Sequence, residues 1–87
     1  MNLEISPKTL KKYHKLRKNN PSLSKLIDKT IEQFLENKFH PSLRLHKLES
    51  MHGDLWSISV NMKLRILLVQ DETSITIVDL GSHDQVY

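Results

Sequence analysis

The second half of the sequence contains three apolar runs joined by very short connections. Residues 56–62 alternate apolar and polar side chains, which predicts a strand with one buried face. In residues 64–70 both odd and even positions are apolar except for Arg65, as in a central strand whose two faces are covered. Residues 74–80 form a third run. Because such short connections force consecutive strands to pair antiparallel, this segment predicts a three-stranded meander.

Two helix start signals precede the meander. Ser6-Pro7 and Asn20-Pro21 each place a capping side chain before a proline at the first helical position. The first signal predicts a helix to about Lys18. After the second signal, apolar residues recur at three- and four-residue steps, which predicts an amphipathic helix; they are Leu23, Leu26, Ile27, Ile31, Phe34 and Leu35. The two helices are expected to form a hairpin.

The rest of the chain completes one fold. Residues 2–5 alternate and predict a first strand, whereas residues 40–53 lack a period and are expected to form a loop. The order β-α-α-β-β-β predicts an α+β fold, with the N-terminal helical hairpin packed on one face of a twisted, mainly antiparallel sheet. Residues 1–87 are too few for a second core, so we expect a single domain.

Composition excludes several classes of protein. The sequence contains no cysteine, which rules out disulfides, cysteine-ligated zinc and thiol nucleophiles. It contains no apolar run of the roughly 18 residues that a membrane helix needs. The N-terminus shows no pattern of a secretion signal, so a cytoplasmic protein is expected.

Charge is distributed unevenly along the chain. Residues 1–40 carry nine Lys or Arg against four Asp or Glu, whereas residues 71–87 carry four acidic residues and no basic ones, within a net charge of +3. A basic surface suits a polyanion, because it neutralises phosphates and releases counterions. The same lysines also suit the solvated face of a helix, and charge alone does not separate these interpretations.

Arg65 interrupts an otherwise apolar strand, and burying a charge without a partner is costly. One interpretation is an ion pair with a carboxylate of the C-terminal segment, such as Asp79 or Asp84. The other places the guanidinium on the exposed face of the sheet as a phosphate-binding cation, because its planar fork matches phosphate oxygens.

Two of the five histidines flank the meander. His46 precedes its first strand and His83 follows its last, so the pairing of these strands would bring the two histidines near each other. Two imidazoles and a guanidinium suit metal-free RNA cleavage, which needs a base for the 2′-OH, an acid for the 5′-oxygen and a cation for the phosphorane. No recognised metal-ligand spacing or Gly-rich phosphate loop is present, and we expect no cofactor.

Four segments together resemble a known family. They are His46-Lys47-Leu48, Trp56-Ser57-Ile58, Arg65-Ile66-Leu67-Leu68 and the ending at residues 80–87. Their order and spacing are similar to the C-terminal half of the RelE/ParE superfamily of toxins from toxin–antitoxin systems, nearest to the RelE, YoeB and YafQ branches. The ending is the most specific part, because Gly-(Ser/Thr)-His with an aromatic residue four positions later is typical of YafQ-like chains.

The resemblance implies a ribosome-dependent endoribonuclease that cuts mRNA and is silenced by a co-encoded antitoxin. It implies that His46 is the general base, His83 the general acid, Arg65 the phosphate-stabilising cation and Tyr87 the aromatic that orients a nucleotide. Ser59 and Lys63 stand where the YafQ-like branch has a further His and Asp, so that part of the site departs from the pattern.

The expected partners are the cognate antitoxin, the ribosome and mRNA, with operator DNA bound only indirectly through the antitoxin complex and no membrane. The lysines expected to contact RNA are Lys11, Lys12, Lys15, Lys18 and Lys47. Two other functions stay open: a ParE-like gyrase inhibitor, and an inactive member that only binds its antitoxin and DNA. His83 with Tyr87 favours the nuclease, because an inhibitor of gyrase does not need them.

Overall fold

The chain folds into two helices and five strands within residues 2–48 and 54–82, the part that this computed structural model describes. In chain order the elements are β1 (Asn2–Ile5), α1 (Pro7–Asn19), α2 (Pro21–Glu36), a short 3₁₀ turn (Pro41–Leu43), β2 (His46–Leu48), β3 (Leu55–Ser59), β4 (Leu64–Gln70) and β5 (Ser74–Ser82). No helix in these residues is long and apolar enough to cross a membrane.

The strands form one mixed sheet in the order β1-β5-β4-β3-β2. The meander of β3, β4 and β5 is antiparallel, as predicted, and β1 pairs parallel to β5. The two helices lie against one face of this sheet, which confirms the predicted α+β fold. The β4–β5 ladder shifts register between Leu67 and Leu68, where β5 contains an extra residue.

One prediction for the meander's surroundings was wrong. Residues 46–48 do not form a loop but the edge strand β2, which pairs antiparallel with β3. In addition, β3 ends at Ser59 rather than continuing to Met62, because the side chain of Asn61 closes a turn by accepting hydrogen bonds from the amides of Lys63 and Leu64 at 2.9 and 2.7 Å.

The caps of both helices are formed as the sequence predicts. The Ser6 hydroxyl accepts a hydrogen bond from the Thr9 amide at 3.3 Å, and the Asn20 side chain accepts one from the Leu23 amide at 3.2 Å. Asn20 also ends α1, since its own amide donates to the Leu16 carbonyl. The caps give hydrogen-bond partners to backbone groups at the helix ends that have no partner within the helix, and Asn20 does so on both sides of the hairpin turn.

The core lies between the helices and one face of the sheet. Ile27 and Phe34 of α2 pack against alternate residues of the strands, among them Ile58, Ile66 and Leu68. Because successive side chains of a strand point to opposite faces, this core face determines which residues lie on the other face.

Candidate active site

Two rows of paired residues cross the sheet on the face that points away from the helices. In one row Ser59 of β3, Arg65 of β4 and Gly81 of β5 lie side by side. In the neighbouring row His46 of β2 pairs with Ser57 of β3. His46 and Arg65 therefore share a face, and with strands about 4.8 Å apart and about 3.3 Å per residue their Cα atoms lie roughly 12 Å from each other.

The guanidinium of Arg65 is short of hydrogen-bond acceptors. Its Nε and Nη1 atoms are buried and have no hydrogen-bond partner among residues 2–48 and 54–82. The ion pair with Asp79 that one interpretation of the sequence expected does not form, because Asp79 instead binds Lys12 at 2.7 Å and Lys8 at 3.4 Å. Asp84, the other candidate partner, lies outside the described residues. Buried N–H groups without acceptors are costly, and an anionic ligand would satisfy them.

The backbone before β2 orients the ring of His46. Arg44 ends the 3₁₀ turn in the left-handed region, with φ of 48°. Its carbonyl oxygen lies 3.1 Å from Nδ1 of His46. Because a carbonyl only accepts, a hydrogen bond here places a hydrogen on Nδ1, and a neutral ring then carries its lone pair on Nε2. An exposed histidine in this tautomer suits the role of a proton acceptor.

The face of the sheet that carries Arg65 is not fully open. Ser57 is completely buried and Leu67 is only 5 % exposed, although both lie on this face by the strand alternation. Arg65 is half-buried and His46 is exposed. This face of the sheet was expected to be exposed; it is exposed at its edge, at His46, but buried at its centre, at Ser57 and Leu67. Arg65 is therefore partly shielded from water, and charge interactions are stronger in such surroundings than in water.

The lysines proposed to contact RNA lie elsewhere. Lys47 pairs with Trp56 in the β2–β3 ladder, on the opposite face from His46, and its ammonium binds Asp54 at 2.9 Å. Of the four α1 lysines in this predicted set, Lys12 binds Asp79, and the other three are exposed: Lys11, Lys15 and Lys18. Their contacts with RNA stay predictions.

No protein-family model and no curated protein matches the sequence. Solved structures match over nearly the whole chain. The toxin in the heterotetrameric YoeB–YefM toxin–antitoxin complex from Staphylococcus aureus is 21 % identical, with a TM-score of 0.79, 95 % of this chain and 97 % of that chain being covered.

A metal-bound toxin from Helicobacter pylori is 26 % identical, with a TM-score of 0.83 and coverage of 100 % and 99 %. In the DinJ–YafQ complex from E. coli the matching chain is 12 % identical, with a TM-score of 0.83 and coverage of 99 % and 97 %. The chain has the fold of the YoeB and YafQ toxins. This confirms the RelE-like fold that the sequence motifs implied.

Two residues of the YafQ-like ending, His83 and Tyr87, lie outside the described residues, so their roles stay predictions. The described part of β5 ends at Ser82, directly before His83 in the sequence, and Gly81 lies opposite Arg65. Within the described residues no group of three or more His, Asp or Glu side chains is arranged to hold a metal ion.

Proposed function

We propose that this chain is the toxin of a toxin–antitoxin system and a metal-independent, ribosome-dependent endoribonuclease that cleaves mRNA in the cytoplasm. The fold shared with YoeB, which was solved together with YefM as a toxin–antitoxin complex, supports the toxin and a cognate antitoxin as its partner. The observation that carries the chemistry is that two buried nitrogen atoms of Arg65, Nε and Nη1, have no partner in the described part of the chain, on the face that also holds His46.

Arg65 would receive the scissile phosphate. The two edges of a planar guanidinium, Nε with Nη2 and Nη1 with Nη2, each match two phosphate oxygens, and such bonds strengthen as negative charge builds up on the phosphorane. The cost of keeping those donors unsatisfied in the free protein would be recovered when phosphate oxygens of the substrate accept hydrogen bonds from them.

The two histidines would move the protons. His46 accepts the proton of the 2′-OH at Nε2 while the 2′-oxygen forms a bond to phosphorus. The bond from phosphorus to the 5′-oxygen breaks, and His83 donates a proton to that oxygen, which gives a 2′,3′-cyclic phosphate and a 5′-OH. Tyr87 offers a ring on which a base can stack.

The remaining contacts follow from the same proposal. The exposed lysines of α1 would contact ribosomal RNA, and Lys47 would add a phosphate contact on the opposite side of the edge strand. Operator DNA would be bound only indirectly, through the antitoxin complex.

Inducible expression with mapping of 5′ ends of cellular mRNAs tests this function. We expect new 5′ ends on wild-type expression, their loss when the neighbouring small reading frame is co-expressed, and a decrease of roughly 10²- to 10⁴-fold in cleavage rate for His46→Ala or His83→Ala. His14→Ala is the matched control, because His14 is an exposed residue of α1 that contacts the ring of Tyr13.

Other outcomes would refute the proposal. Full cleavage by both single histidine variants would exclude their roles as base and acid. DNA damage without mRNA cleavage would favour an inhibitor of gyrase, and the absence of growth arrest would favour a member that only binds its antitoxin.

A further inference from the structure

Helix α1 holds the outer edge of β5 beyond the point where β1 ends. β1 pairs with β5 only as far as Ile77, whereas β5 continues to Ser82. In this stretch, which has no β1 beside it, the ammonium of Lys12 donates to the carbonyl oxygen of Leu80 at 3.2 Å and to the carboxylate of Asp79 at 2.7 Å. One lysine of the helix thus binds both the backbone and a side chain of the strand.

Asp79 is the centre of these contacts. Its side chain is only 16 % exposed, and it accepts hydrogen bonds from Lys12, from Lys8 at 3.4 Å and from the amide of Leu80 at 2.8 Å. Burial raises the pKa of the Asp79 carboxyl, but the bonds from Lys12 and the Leu80 amide and the charges of Lys12 and Lys8 outweigh it, so the pKa lies below its ordinary value. The carboxylate therefore stays charged, and its principal partner is Lys12.

This group of contacts lies close to Arg65 along the sheet. Asp79 pairs with Leu67, and two residues later Gly81 pairs with Arg65. The β4–β5 ladder is interrupted just before Asp79, between Leu67 and Leu68. A strand end that follows an irregularity, with no β1 beside it, depends on other contacts for its position.

We infer that Lys12 and Asp79 are positioning residues of the proposed active site, which fix the end of β5 opposite Arg65 and do not contact RNA. The inference rests on the proposed function, and it reassigns Lys12 from the set of RNA-binding lysines. The ammonium of Lys12 is already bound to two acceptors at once, whereas Lys15, which lines the same groove between α1 and β5, makes no ion pair in the described part of the chain. A phosphate contact from this groove is therefore expected from Lys15.

Cleavage kinetics with a synthetic single-stranded RNA on ribosomes, measured for Lys12→Ala, Asp79→Asn and the double variant, test the inference. A positioning role predicts that each single variant lowers kcat by about 10- to 100-fold with little change in KM, since small displacements of reacting groups are costly. The double variant should be no slower than the worse single variant, because both changes break the same contact. Lys12→Arg, which keeps the charge and the reach, should restore most of kcat.

Hydrogen exchange of the Leu80, Gly81 and Ser82 amides gives a second readout that needs no nuclease activity. We expect faster exchange at these amides in Lys12→Ala and Asp79→Asn, and not in Lys25→Ala, which removes the same charge from the exposed surface of α2. If the wild-type protein cleaves no RNA, the proposed function fails while the exchange rates still decide whether the contact fixes β5.

Two results would overturn the inference. An increase in KM alone for Lys12→Ala, together with normal kinetics of Asp79→Asn, would return Lys12 to the RNA-binding lysines. Unchanged exchange at residues 80–82 in both variants would show that the contact does not fix the strand.

Discussion

At the scale of single residues, Arg65 shows a conflict between stability and its proposed function. Its Nε and Nη1 groups are buried and find no acceptor among the residues that the structure describes, which is a cost to the free protein. A side chain of similar length without polar groups would avoid this cost. Sites that are kept for binding commonly carry such a penalty, and their removal often stabilises the fold.

Arg65→Met is therefore expected to raise the free energy of unfolding by about 1 kcal/mol while it abolishes RNA cleavage. Urea unfolding followed by circular dichroism measures the first effect. Arg17→Met on the exposed surface of α1 is the matched control and should change stability by less than about 0.5 kcal/mol. A marked loss of stability in Arg65→Met would show that the guanidinium is satisfied in the folded protein and would remove the main support for an anion site.

Asp71 gives a prediction for the pH dependence of stability. Its carboxylate closes the turn before β5, and hydrogen bonds from the Thr73 amide, the Ser74 amide and the Ser74 hydroxyl lower its pKa below the ordinary value. A group whose folded pKa is depressed stabilises the fold above its unfolded pKa, near 3.9, and that stabilisation is lost as pH falls through the lower folded value.

We expect Asp71→Asn to lose stability relative to wild type at pH 6, and the difference to shrink as pH decreases towards 3. Chemical unfolding at both pH values measures it. Glu72→Gln, a neutralisation at the next position of the same turn, provides the comparison and should leave the pH dependence close to that of wild type. An equal difference between wild type and Asp71→Asn at both pH values would contradict the assignment.

At the scale of elements, Asn20 makes hydrogen bonds with both helices. Its amide donates to the last turn of α1 and its side chain accepts from the first turn of α2, next to Pro21. We expect Asn20→Ala to reduce the free energy of unfolding by about 1 kcal/mol, because the loss of a capping side chain leaves an N–H group unsatisfied. Asn19→Ala, one residue earlier and exposed, should have a smaller effect, and equal effects would exclude the capping role.

The elements of the fold differ in how well the sequence predicts them. The caps and the apolar period predict both helices, and the alternation predicts the meander, because each signal is local. β2 has only three residues and exists through its pairing with β3, so no local pattern marks it. The partners of Asp79 could not be predicted from a local pattern, since Lys12 is 67 residues away in sequence. The burial of Nε and Nη1 of Arg65 is likewise set by the packing of the folded chain and not by a local pattern.

At the scale of the whole molecule, positive charge lies on two sides. The α1 lysines lie on the helical side, whereas Arg65 lies on the opposite face of the sheet. A large RNA assembly is able to contact both surfaces at once. This arrangement fits a substrate strand that is presented on a much larger polyanion.

A small domain of this size buries little surface, so binding should raise its stability measurably. A short single strand with 2′-deoxyribose at the scissile position cannot be cut, since it lacks the attacking hydroxyl. At a concentration of 100 times Kd we expect it to raise the free energy of unfolding by about 2.7 kcal/mol in wild type. Thermal unfolding with and without the oligonucleotide measures this increase.

The same measurement on variants separates the two charged surfaces. Arg65→Met should lose nearly all of the stabilisation by the oligonucleotide, whereas Lys25→Ala should lose little, because Lys25 is an exposed residue of α2 on the helical side of the sheet. Increasing salt should weaken the effect in wild type, since phosphate contacts release counterions. Equal stabilisation of wild type and Arg65→Met would place the RNA on the helices instead, and the sheet face would then have no role in binding the substrate.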